Sequence, residues 1–304
     1  MNSSYLAIGA AFSKIFKLLA LNRFAVHPAY LLRLLILFQA ALWSLVFGIV
    51  EFFRYNKKIC DAPKPQKPVF IVGHWRTGST FLHQLMSMDA KFVSPSVFQV
   101  TVPGCFLSIE KYYKPVMKKM MGNKRPMDNV KFGPDAPQED EFALLRLCLE
   151  SPLKSLLFPK NKSYFLIEDK DFFSQKACSE NWEKALTNFY KKLLVKKPGQ
   201  LLIKNPFHSM RIRQLNTMFP DALFIHIHRN PYAVIPSTIR MWDIIARQNC
   251  LNRRWQKPEI EDTALLLSTM LKNIHTELAK LPNNRHIEIK YEELEANPHE
   301  EMLK

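Results

Sequence analysis

Four side chains able to hold an anion crowd one short turn. Arg76, Thr77, Ser79 and Thr80 lie between, or directly after, Gly73 and Gly78. Further on, Lys204 ends an apolar run, Arg229 follows another, and Ser237 comes eight residues after Arg229. Glu139, Asp140 and Glu141 follow one another directly. Cations and hydroxyls at a glycine-bounded turn bind phosphate- or sulfate-like groups, through charge-assisted hydrogen bonds and exposed backbone N–H groups. The chemistry expected of such a set begins with holding an anion that is not the usual Mg-nucleoside triphosphate.

The elements that must position these residues are legible. Val69–Val72 is a short, β-branched apolar run, the pattern of a buried strand, and Phe81, Leu82, Leu85 and Met86 recur at helical spacing after the turn. Strand, glycine-bounded loop and helix place backbone amides and a helix dipole against an anion. The spacing of Gly73 and Gly78 matches the two glycines of a Walker A loop, but Ser79 stands where that motif has its lysine, and the fixed charge sits upstream on Arg76. The apolar strand Leu223–His228 carries no Asp to hold Mg²⁺. These departures disfavour a P-loop nucleotide kinase or NTPase, which stays as the alternative, together with a non-catalytic nucleotide-binding membrane protein.

The turn resembles the 5′-phosphosulfate loop of the sulfotransferases that use 3′-phosphoadenosine-5′-phosphosulfate (PAPS), in which a Lys or Arg stands two residues before the second glycine. A second family signature is similar to Arg229-Asn230-Pro231 with Ser237. The resemblance runs from about Pro68 onward and is closest to the bacterial-type enzymes. It implies an α/β fold with a P-loop-like parallel sheet flanked by helices, PAPS as donor and no metal. Gly73, Arg76, Thr77, Gly78, Ser79 and Thr80 are then expected to hold the 5′-phosphosulfate, and Arg229 and Ser237 the 3′-phosphate. By the same resemblance Lys204 contacts the transferring sulfonate, and Glu139 is the candidate base. For Glu139 a plain role as a helix-start acid is equally open. The family places a His two residues past the lysine, where this chain has Pro206, with His208 two further on. His226 and His228 read as core or nucleotide-wall residues. Family members usually continue beyond the helix opened by Asn297-Pro298, with a glycine- and basic-rich loop over the 3′-phosphate; the resemblance implies either further elements past Lys304 or contacts supplied from elsewhere.

Alternating strands (Leu201–Ile203, Leu223–His228, His286–Ile289) and helices (Asn181–Val195, His208–Phe219, Tyr232–Arg247, Thr263–Leu281) predict a parallel sheet. Phe106–Met121 reads as a helix and Gly122–Pro134 as a loop. Asp135-Ala136-Pro137-Gln138 reads as the N-cap and first turn of a helix. Ahead of the domain, residues 1–60 form a hydrophobic helical segment, and 61–68, with three prolines and two lysines, a linker. Leu34–Val50 has no charge over seventeen residues, at the short end of a bilayer span. Three readings compete: a single span, an interfacial anchor with basic flanks, and a hydrophobic helix packed on the domain. The expectation is membrane association on the cytoplasmic face, with a Golgi-type lumenal single span as alternative.

The balance of 43 Lys+Arg against 27 Asp+Glu gives a formal charge of +16. With no nucleic-acid motif and scattered basic residues, the partners expected are a nucleotide donor and a small-molecule, lipid or glycan acceptor, not nucleic acid. Five widely spaced cysteines without a C-x-x-C fit idle thiols in a reducing compartment.

Overall fold

The computed structural model describes residues 6–121, 133–159 and 178–303; the expected loop at Gly122–Pro134 falls mostly outside them. Five strands, β1 (Val69–Val72), β2 (Phe92–Val93), β3 (Gln200–Lys204), β4 (Leu223–His228) and β5 (His286–Lys290), form one sheet in the order β2-β3-β1-β4-β5. All pairings are parallel; Val69 sits level with Leu202 on one side and Leu223 on the other. The edge strand β2 was not expected: two residues leave no periodicity to read.

The alternation of strand side chains splits the core between the two faces of the sheet. Phe70, Val72, Leu201, Ile203 and Phe224 belong to one buried cluster, while Val69, Ile71, Leu202 and Ile227 belong to another. Burial on both faces is why these strands are continuous apolar runs. The helices start where capping chemistry allows. Ser179 caps the helix Glu180–Lys196 through Trp182 N, and Asn230 caps Pro231–Asn249 through Tyr232 N. The expected helix from His208 to Phe219 is divided into a 3₁₀ turn, Pro206–Met210, and a helix, Ile212–Met218.

One helix start differs from its sequence pattern. Asp135 caps nothing: the helix begins at Glu141 and runs to Cys148. The backbone of 135–138 pairs instead with the preceding segment, Val97 N donating to Ala136 O and Gln138 N to Pro95 O, with Ser96 and Pro137 bridged antiparallel. Those bonds remove the groups a first turn would need, and Asp135 pairs with Lys114.

The N-terminal segment lies on the domain. Helix α1 (Phe12–Leu21) and helix α2 (Leu31–Asp61) share a buried cluster with Trp75, Leu145, Phe207 and Trp242. Leu6 N donates to Asn249 Oδ1 at 2.8 Å, and Arg146 Nε donates to Ile8 O at 2.5 Å. Further along α2, buried Glu51 ion-pairs with buried Lys192 and accepts from Leu107 N (2.7 Å) and Ser108 N (3.3 Å). Its carboxylate thereby serves the first turn of the helix Phe106–Met120, where an anion is favoured.

Breaking one half of that pair should be costly, because the other charge stays buried. Lys192→Met is expected to lower stability by about 3–5 kcal/mol. Urea denaturation measures it; a loss within experimental error would mean that water already solvates Glu51.

Candidate active site

The turns that carry the candidate residues leave three neighbouring strands at the same end of the sheet. Gly73–Gly78 follows β1, Lys204 ends β3 on one side of it, and Arg229 follows β4 on the other. Carboxyl ends of central parallel strands are where α/β sheets present ligand-binding groups.

The first turn is held closed by its own bonds. Thr77 Oγ1 donates to His74 O at 2.8 Å, and Ser209 Oγ accepts from Gly73 N (2.9 Å) and donates to Gly73 O (3.0 Å). Gly78 lies at φ +90°, and a Cβ there would collide with the ring of Tyr291; Gly73, at φ +146°, backs onto Ile227 O. Arg76 itself adopts a left-handed φ of 69°, a conformation that costs a non-glycine residue on the order of 1–3 kcal/mol and collects at ligand sites. The helix Ser79–Met86 then starts without a side-chain cap and with no acid in its first turn. Its N-terminal amides, with Arg76 and the partly exposed Thr80 beside them, suit an anionic group. Ser79 is buried, and Thr77 spends its hydroxyl hydrogen within the loop.

The two sequence motifs meet. Arg76 Nε donates to Ser237 Oγ at 2.8 Å, across 161 positions of sequence. The Arg229 guanidinium lies 4.2 Å from the centre of the Tyr291 ring, the same ring that covers Gly78. Tyr291 thus joins the first turn to the third, and sequence reasoning missed it. The available signal was its position, directly after the last strand.

At the end of β3, three consecutive acids find their partners. Glu139 ion-pairs with Lys204. Asp140 accepts from Asn205 Nδ2 (2.8 Å) and Tyr190 OH (2.6 Å), with His208 Nε2 at 2.9 Å from the same carboxylate. Glu141 receives a bidentate contact from Arg211 (2.6 and 3.2 Å) and Asn205 Nδ2 at 2.9 Å. Burial alone would raise Asp140; the charge and hydrogen bond of His208, with those of Tyr190 and Asn205, outweigh it and hold the carboxyl below its usual range. Asp140, Glu141 and His208 are fully buried, so they support the site from beneath. Glu139 retains some exposure, while its partner Lys204 is buried.

His226, read from sequence as core or nucleotide wall, is buried, with Nδ1 3.0 Å from Glu288 Oε1 and its ring 5.4 Å from that of His275. His228 Nε2 lies 3.7 Å from the same Glu288 oxygen. Among the described residues, His226, His275 and Glu288 are the one group whose ligand atoms, within 4.8 Å of one another, could hold a cation.

A parallel sheet with a glycine-bounded, cation-bearing turn after its central strand defines an α/β protein of the P-loop-like class. Residues 68–304 match the model of the sulfotransferase family, and the chain belongs to that family. It is 30% identical over 297 residues to the omega-hydroxy-beta-dihydromenaquinone-9 sulfotransferases Stf3 of Mycobacterium bovis and Mycobacterium tuberculosis, covering 96% of this chain and 75% of each relative. The fold is similar to those of sulfotransferase STF9 from Mycobacterium avium and STF1 from Mycobacterium tuberculosis. For STF9 the TM-score is 0.66 at 19% identity, over 84% of this chain and 66% of that one. For STF1 it is 0.64 at 15% identity, over 95% and 79%.

Burial also sets a pH dependence. It holds the imidazoles of His74 and His226 down to about 4 and that of His83 to about 3. Below pH 6.5 the unfolded chain takes up protons at these positions and the folded protein does not, so stability is complete above that pH and declines as pH falls towards 4. Each group contributes up to about 1.4 kcal/mol per pH unit within the window. Urea midpoints at pH 7.5, 6 and 5 should therefore descend in order, and a flat series would show that the rings are not held neutral.

Proposed function

We propose that the chain transfers a sulfonate group from PAPS to a hydroxyl, or an amine, of a lipid acceptor. The observation that carries this reading is the convergence of Arg76, Lys204 and Arg229 from three adjacent parallel strands, beside an uncapped helix N-terminus. That donor set suits a ligand with two separated anionic groups. PAPS, when bound, supplies the sulfonate and leaves as adenosine 3′,5′-bisphosphate.

Arg76, with the backbone of Thr77, Gly78, Ser79 and Thr80, holds the 5′-phosphosulfate and meets charge as it develops on the bridging oxygen, while Gly73, its N–H given to Ser209, shapes the turn. Arg229 and Ser237 hold the 3′-phosphate. Lys204 neutralises the transferring sulfonate. Glu139 accepts the proton lost by the acceptor hydroxyl as its oxygen attacks sulfur and the bond from sulfur to the phosphate oxygen breaks. The Glu139–Lys204 ion pair brings proton acceptor and sulfonate-binding cation to one place. His208 is fully buried against Asp140 and is given no such part in this reading.

A lipid acceptor is favoured by the menaquinone-directed activity in the names of the relatives and by the apolar helix α2. In this reading residues 1–60 associate with a membrane, 61–68 connect, and 69–304 form the catalytic domain at the cytoplasmic face. The experiment that tests the reading is transfer of labelled sulfonate from PAPS to a panel of hydroxylated lipids. No transfer to any acceptor, with thermal stabilisation by Mg-ATP but not by metal-free adenosine 3′,5′-bisphosphate, would return the chain to the kinase or NTPase alternative.

Site variants sharpen it. Arg229→Ala should weaken binding of adenosine 3′,5′-bisphosphate by about 1.5–3 kcal/mol while adenosine 5′-monophosphate binding stays nearly constant; Ser237→Ala should do the same to a smaller extent. Equal losses for both nucleotides remove the 3′-phosphate assignment. Glu139→Gln is expected to cut turnover by about 10²–10⁴-fold with donor affinity unchanged.

A further inference from the structure

We infer that α2 lies in the plane of a bilayer surface, its outer side in the lipid and its inner side fixed to the domain, and does not cross the membrane. The inference deepens the membrane part of the proposed function and rests on it. With 31 residues, α2 is about 46 Å long, ample to span a hydrocarbon layer of about 30 Å. Length is therefore not what decides.

What decides is that protein covers one side of α2 from end to end. Near its start, Arg33 Nη1 donates to Cys250 O at 3.1 Å, and Leu37 and Ala41 are buried in the cluster that includes Trp75 of the first turn. In the middle, Ser108 Oγ donates to Phe47 O at 3.3 Å and buried Glu51 pairs with Lys192. At the end, Ile59 is buried and Lys191 Nζ donates to Cys60 O at 3.1 Å. A spanning helix must offer lipid a continuous stretch of about 20 residues. Here any such stretch includes several of these contacts, and crossing would draw the protein groups that make them into hydrocarbon or tear them from the helix.

The opposite side has the chemistry of a lipid contact. Leu35, Leu42, Trp43, Ile49 and Phe53 are more than half exposed. Helix α1 extends the same surface, its exposed Phe12 ring packing 4.9 Å from Phe38 of α2. Charge favours an anionic surface as the occupant. Residues 1–60 hold seven Lys and Arg (Lys14, Lys17, Arg23, Arg33, Arg54, Lys57, Lys58) and one acid, Glu51, which is turned inward. An apolar face bounded by basic residues is the composition of helices that lie in an anionic interface. Because α1 and α2 share a core with Trp75, lipid contact at this face lies one layer from the candidate active site.

The test uses the full chain synthesised in the presence of sealed vesicles, of phosphatidylcholine alone or with added phosphatidylglycerol, followed by flotation. Binding should be at least about tenfold stronger to the anionic vesicles, and the double substitution Leu42→Asn with Trp43→Ser should reduce it by about tenfold or more. Both positions are exposed, so the variant's thermal midpoint should match the wild type. Topology is read with a membrane-impermeant maleimide on bound protein carrying one reactive thiol, either exposed Cys60 or Ala29→Cys, at opposite ends of α2. Labelling of both from outside is the in-plane result; protection of either end until detergent is added is the spanning result and overturns the inference. Failure to bind vesicles of either composition also overturns it, and sedimentation equilibrium would then ask whether a second copy covers the face. Binding and labelling do not depend on sulfonate transfer, so either reading can fail while the other stands.

Discussion

The structure turns on the match between three consecutive acids and the segment Lys204–Arg211, which ends β3 and follows it. Glu139, Asp140 and Glu141 meet Lys204, Asn205 with His208, and Arg211 with Asn205, respectively. A fold that gathers cations at one end of its sheet must offset their mutual repulsion and the cost of burying some of them. Here the countercharge comes from one turn of chain at the start of a helix. Leaving any of these buried groups without its partner would cost several kcal/mol, so the match fixes the register of that helix against the sheet. It also leaves Glu139 partly exposed beside the buried Lys204.

The two glycine-bounded and strand-end turns depend on that frame. Ser209, five residues past Lys204, ties both the N–H and the carbonyl of Gly73, so the end of β3 and the first turn are positioned by each other. Tyr291 closes the other side, covering Gly78 and stacking on Arg229. The left-handed backbone at Arg76 persists because its surroundings are fixed on both flanks. The N-terminal helices belong to the same frame, since Trp75 packs edge-on against Trp242 and Phe207 in the cluster that buries α1 and part of α2. Membrane contact and donor binding would thus act on adjoining parts of one packed body.

Much of this was legible in one dimension. The strand at Val69–Val72 begins and ends where the apolar, β-branched run does, because full burial on both faces leaves an unbroken pattern, and Leu223–His228 keeps its expected bounds although histidines interrupt its run. The glycines and Arg76 could be singled out because a tight turn before a helix accepts few residues at those places. The start of the helix at Glu141 was misread. Asp135 and Pro137 have the local chemistry of a cap, but pairing of 135–138 with Pro95–Val97 is a long-range choice that local chemistry does not encode. The edge strand β2 was invisible because two residues leave no periodicity to read.

The sequence by itself determined the class of fold, the anion-binding turn after the first strand, and the presence of a second cationic turn after a later one. These follow from short-range steric and hydrophobic rules that act within a few residues. Only the tertiary structure decided which partners the acids at 139–141 take, that Tyr291 joins the two turns, and that His226 faces His275 and Glu288. It alone showed that one side of α2 is committed to protein while the other stays apolar. Each of those outcomes depends on residues tens to hundreds of positions apart, and their pairing is set by how the layers pack, which no local pattern records.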